Sequence, residues 1–204
     1  MNMPPIARRD LLLGSAALGT TLLSRPAFAQ SEIGWTVSAQ GSAVLRRAEA
    51  LLPLNPSDPL FERDLVQTGT QSFAELMLNE ATQINLGPDS SIEIDSFVAA
   101  IGGQITVGGA MAFDRPDDLD PIDLTLRTTF ARIGVRGTRF FAGPSAGVFA
   151  VFVARGAVDV TAAAVTVRLV AGEGVEIATA GGPPGAVVQW GEARITNAFA
   201  SVGL

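Results

Sequence analysis

The chain has 204 residues, 14 basic against 20 acidic, and a formal net charge of −6. An acidic chain lacks the basic footprint that nucleic-acid phosphates require and is not drawn to anionic lipid. It contains no His, no Cys and no Lys, which excludes disulfides, the usual zinc, copper and haem ligand sets, and Schiff-base chemistry, and no cofactor is expected.

The first element is an address. Arg8-Arg9 precede an apolar, small-residue stretch from Leu11 to Leu23, and Ala27-Phe28-Ala29 supplies an A-x-A cleavage site. This is the pattern of an export signal, and the arginine pair makes it a twin-arginine type. The apolar stretch is short for a retained span, and no cysteine follows it to carry a lipid. Cleavage after Ala29 removes Arg8, Arg9, Arg25 and Asp10, so the mature chain is more acidic still. The expectation is a soluble periplasmic protein with no transmembrane anchor after cleavage. It divides into the signal at 1–29, a β domain at 30–180, and a Gly/Pro linker with a C-terminal helix at 181–204.

Short alternating runs follow, broken by Gly, Pro, Asn and Asp. Phe73 to Leu78, Gln83 to Leu86, Ser91 to Asp95, Gln104 to Val107 and Ile122 to Arg127 each place an apolar side chain at every second position. That is the period of a strand with one buried face. Val148 to Val153 is apolar on both faces and reads as a central strand. Ala157 to Val160, Val165 to Leu169 and Gly174 to Ile177 continue the series. Turn signals at intervals of roughly eight to twelve residues are the rhythm of an all-β domain. No strict repeat marks a regular solenoid. After Gly181-Gly182-Pro183-Pro184-Gly185, Trp190 to Val202 reads as an amphipathic helix. Its stripe of Trp190, Ile195 and Phe199 caps the open end of the β body or meets a partner.

Three patterns could carry chemistry. Gly143-Pro144-Ser145-Ala146-Gly147 matches the G-x-S-x-G of serine hydrolases, but the chain has neither His nor Lys to act as base, so the match reads as a hairpin turn. Asp114, Asp117, Asp118 and Asp120, with Asp123, could offer oxygen ligands to calcium, and a calcium-stabilised structural protein is then the alternative function. Their spacing is not that of an EF-hand, and a solvated loop guarding a β edge is the competing reading. A pair of carboxylates acting on a polysaccharide is the alternative enzyme reading.

The third pattern is Arg132-Ile133-Gly134-Val135-Arg136-Gly137-Thr138-Arg139-Phe140-Phe141. Alternation puts Ile133 and Val135 toward the core and Arg132, Gly134 and Arg136 on the other face. Gly137 permits a turn or bulge before Thr138 to Phe141 resume as a strand. Arginine's planar fork suits carboxylates and phosphates. The expectation is that Arg132, Arg136 and Arg139 with Thr138 organise one edge of the body. Arg136 ties it to a carboxylate, and Arg132 and Arg139 face a partner.

The run from Ile133 to Phe140, with Arg136-Gly137-Thr138 and Phe140 at its centre, resembles the signature of the FecR domain. The resemblance extends upstream to Leu65–Gly69 and the hairpin of Ala74–Leu76 and Ile84–Ile92. Downstream it reaches Phe149–Val151, Arg155–Val160 and Leu169–Gly174, so it covers about Trp35 to Ile177. Asn79-Glu80-Ala81 and Thr128-Thr129-Phe130 depart from the family's usual turns. The resemblance implies an all-β fold: a short-stranded β-sandwich or twisted, solenoid-like body with a short C-terminal helix. It implies no enzyme activity and no cofactor. The family's namesakes span the membrane and signal to a cytoplasmic sigma factor. This chain shows no cytoplasmic segment, so the expectation is a sensor, adaptor or scaffold that binds an envelope protein or glycan, without direct sigma-factor contact.

Overall fold

Residues whose side chains alternate between apolar and polar become strands over more than half of the computed structural model, which describes residues 31–98, 101–116, 118–120, 122–135 and 138–204. The export signal, Asp117, Arg136 and Gly137 lie outside the described residues, and so do the expectations placed on them. β1 (Gly34–Gln40) begins sheet A. The chain crosses to sheet B for β2 (Ala43–Arg47) and β3 (Ala50–Pro53), returns for β4 (Pro59–Leu60), and crosses again for β5 (Leu65–Thr68). From there it shuttles. Sheet A receives β6 (Phe73–Leu78) and β7 (Thr82–Leu86), then sheet B receives β8 (Ser91–Val98) and β9 (Gly102–Gly108). β10 (Met111–Asp114) lies in A, and β11 (Asp123–Arg127) and β12 (Arg132–Val135) in B. β13 (Arg139–Ser145) and β14 (Val148–Arg155) return to A, β15 (Ala157–Ala162) and β16 (Val165–Val170) to B, and β17 (Glu173–Ile177) and β18 (Val188–Gln189) end in A.

Among the described residues each sheet holds nine strands, in an order that follows the chain from β5 onward. Neighbours are antiparallel except β9 and β11, which run parallel from Gly102↔Asp123 to Thr106↔Arg127. The exception follows from β10 visiting sheet A between them. The body is a sandwich that advances hairpin by hairpin, as expected for the all-β, solenoid-like class. β1 to β4 were not legible as strands. A register shift between Thr36 and Ser38 interrupts the alternation of β1 against β6, and prolines break the segment after it.

The core lies between the sheets. Leu76, Ile84, Phe113, Phe140 and Val151 from A meet Val66, Ile94, Ile105, Leu126, Ile133 and Val160 from B, each fully or almost fully buried. Burying one such side chain is worth roughly 1.5–3 kcal/mol, so the alternation itself fixes which face of each strand turns inward. A second apolar cluster sits on the outer face of sheet A, where Ala112, Phe141, Ala150 and Phe152 lie under Trp190, Ala198 and Val202. α1 (Glu192–Ala200) covers this face. That explains why β14 is apolar on both sides. The helix therefore packs on a sheet face rather than capping the open end, because the exposed side of β10, β13 and β14 is the apolar surface available to it.

Candidate functional site

Thr138 is fully buried at the start of β13, and its hydroxyl donates to the Arg155 carbonyl at 2.6 Å while its own carbonyl accepts from the Arg115 amide at 3.0 Å. Phe140 is fully buried and stacks on Phe113, centroids 5.3 Å apart. Arg139 lies opposite Asp114 on the neighbouring strand, with Nε 3.6 Å from the carboxylate. Arg155, next in the sheet, brings Nη2 to the same carboxylate at 2.8 Å and donates to the Arg115 carbonyl. One acid thus bridges two arginines that stand cross-strand from each other. Arg139 also sits 5.2 Å from the Phe199 ring centroid, a cation–π contact to the covering helix.

This arrangement reassigns several expected residues. Asp114 is a strand residue held in ion pairs. Asp118 and Asp120 are exposed, and the Asp120 carbonyl accepts from Arg115, whose side chain is buried. Among the described residues no group of three or more acids is placed to hold a metal ion. The Arg132 and Arg139 side chains do not share an edge. Arg132 is exposed on β12 of sheet B and Arg139 lies on β13 of sheet A, because the chain crosses between sheets within the motif.

Trp190 is buried, its ring stacked on Phe152 at 4.9 Å and faced by the Arg194 guanidinium at 3.9 Å. Phe199 is half-buried, edge-on to Phe152 at 6.3 Å and tilted against Phe141 at 6.4 Å. Both rings therefore hold the helix to sheet A. The G-x-S-x-G segment is a hairpin: Ser145 pairs with Val148, and Ala146 and Gly147 turn the chain at φ of 53° and 84°. The Ser145 hydroxyl accepts from Arg194 Nε at 3.1 Å, and Arg194 also donates to Glu176 at 2.7 Å.

Two features were missed. Asp64 is fully buried and takes a two-pronged bond from Arg47 at 2.8 and 2.7 Å. Those hydrogen bonds raise the Arg47 pKa above its ordinary value. The other is Arg127, directly opposite Arg132 on the outer face of sheet B. Their equal distance from the Thr128–Ala131 turn is the signal that could have found the pair.

A search of curated proteins finds no match to the sequence. The FecR protein family model matches residues 64–159. Two crystal structures of a "putative anti-sigma factor" from Parabacteroides distasonis ATCC 8503 are similar in fold, with TM-scores of 0.53 and 0.54 at 17% and 18% identity. Each alignment covers 65% of this chain and 62% of that one. These findings correct the expectation of no sigma-factor contact. FecR-type proteins are regulators, and the two solved neighbours carry an anti-sigma name, whereas the expectation rested only on the absence of a cytoplasmic segment. No helix among the described residues is long and apolar enough to cross a membrane. The matched stretch, residues 64–159, runs from β5 into β15 and contains the RGT-x-F run, so this part of the chain is similar to the FecR protein family.

Proposed function

We propose that the chain is a non-catalytic regulatory protein that works on the periplasmic side of a bacterial envelope, where its FecR domain binds an envelope protein or glycan as a sensor or adaptor. The observation that carries this reading is the family match over 64–159. The site geometry supports it. Thr138, Arg139 and Phe140 are tied to their own fold, and Ser145, the one serine in a hydrolase-like pattern, faces an arginine instead of a base. The alternating paired-carboxylate enzyme gains no support from Asp114, whose carboxylate is held by Arg139 and Arg155. Export through the signal at 1–29 would deliver the domain to that compartment. A regulatory partner of the sigma or anti-sigma kind belongs to the class such a domain serves.

The test is in-cell crosslinking of the tagged chain followed by mass spectrometry, run beside turnover assays of the purified protein on envelope polysaccharides. The expected outcome is a defined partner, a mature N-terminus at Gln30 and no turnover. Turnover abolished by substituting a carboxylate, with no partner captured, would replace the adaptor reading by the enzyme.

A further inference from the structure

Charges in register on neighbouring strands follow a rule in this molecule. Asp159 stands opposite Arg168 and pairs with it at 3.4 Å. Asp114 stands opposite Arg139 and pairs with it at 3.6 Å. Two like-charged pairs break the complementarity, Arg139 opposite Arg155 and Arg127 opposite Arg132. The first is repaired from within, since the Asp114 carboxylate bridges both guanidinium groups. The second is not. Among the described residues no carboxylate pairs with Arg127 or Arg132, and the one side-chain bond is a long one, from Arg127 to Gln104 at 3.5 Å. Of the acids on neighbouring strands, Asp159 pairs with Arg168 and Asp95 accepts from the Thr106 hydroxyl at 2.8 Å, while Glu93, in the same cross-strand row, is separated from Arg127 by Thr106. Like charges directly opposite each other on a sheet are destabilising. The positions directly flanking the pair in that row are Thr106 and Thr161, so no carboxylate stands beside either arginine to relieve them.

We propose that Arg127 and Arg132 form a carboxylate-binding site that takes an acidic side chain of a partner protein, in the way that Arg139 and Arg155 take Asp114. The chemistry fits: two guanidinium groups carried at directly opposed positions on one exposed sheet face each have charge-assisted hydrogen bonds to donate to a carboxylate. A protein rather than an acidic saccharide is favoured by the surroundings. Thr106, Thr125, Gly134 and Thr161 flank the pair, and none of them offers the aromatic ring on which a sugar would stack. This inference rests on the adaptor reading and names the chemistry of its binding face.

The experiment is an amide and arginine-side-chain NMR titration of the mature protein with an amidated, acetylated triglutamate peptide. A triglutamine peptide and trigalacturonate serve as comparisons. The expected result is saturable shifts centred on Arg127, Arg132 and Gln104 with triglutamate. They should weaken with salt, be absent with triglutamine, and disappear in Arg127→Gln/Arg132→Gln. A second variant guards against a folding artefact: Arg132→Glu should raise Tm, because the opposed pair becomes complementary, while abolishing the shifts. Shifts that persist in the double variant, or no saturable shifts at all, overturn the site. Tighter binding of trigalacturonate than of triglutamate overturns the protein partner in favour of a glycan. A partner captured in cells with equal yield from wild type and Arg127→Gln/Arg132→Gln leaves the adaptor reading standing and removes this site from it.

Discussion

At the scale of single residues, Thr138 and Arg139 form a latch between strands. Thr138 joins β13 to the end of β14 through the Arg155 carbonyl, and Asp114 neutralises two arginines that would otherwise oppose each other. Removing a buried hydroxyl leaves that carbonyl without its partner, at a cost of roughly 1–3 kcal/mol. Thr138→Val should therefore lower stability by about that amount in urea unfolding, with the m-value unchanged. Asp114→Asn should cost less, about 1 kcal/mol, because all three partners are partly exposed and solvent screens them. An Asp114→Asn variant as stable as the parent would contradict the bridge. Thr138 and Phe140 stood out in the sequence as members of the RGT-x-F run, but the bridge did not: Arg139 was expected to face a partner and Asp114 to belong to an acidic loop, and their pairing depends on the register of β10 against β13. Arg127 was not singled out either, since its cross-strand partner follows only once Thr128–Ala131 is read as the turn that sets the register of β11 against β12.

At the scale of elements, period-two alternation placed strands such as β6, β8, β11 and β15 well, because each buries one face and a slip of one residue would expose it, while β14 was placed by being apolar on both faces. It failed for β1 to β4, where a bulge and prolines break the period. The helix lies where its amphipathic spacing put it and packs on the β body, but that spacing shows that one face of α1 is buried without showing against which surface, and the surface is the face of sheet A rather than the open end. The hairpin between β15 and β16 carries a local conflict. Ala163 and Ala164 turn the chain at φ of 46° and 62°, the left-handed region that alanine adopts at a cost of roughly 1–2 kcal/mol per residue. Such two-residue turns favour Asn-Gly. Ala163→Asn/Ala164→Gly should therefore raise stability by about 1–2 kcal/mol, read as a higher midpoint in urea. A lower midpoint would mean that the turn is not of this kind.

At the scale of the whole molecule, the shuttling of hairpins between sheets gives the body two outer faces with different fates. The outer face of sheet A is apolar at β10, β13 and β14, and Trp190 and α1 cover it. The outer face of sheet B carries Arg127 and Arg132 in the open. The same short motif contributes to both, Arg139 to the covered side and Arg132 to the open one, because the chain crosses between them. The central claim is that partners meet the FecR domain on sheet B. It is tested most directly by placing a photo-crosslinking amino acid in cells at Thr125, beside the arginine pair, and in a separate strain at Asn197, exposed on α1. The account predicts a partner adduct from position 125 and none from 197. An adduct from 197 alone would contradict it and return the binding surface to the C-terminal helix.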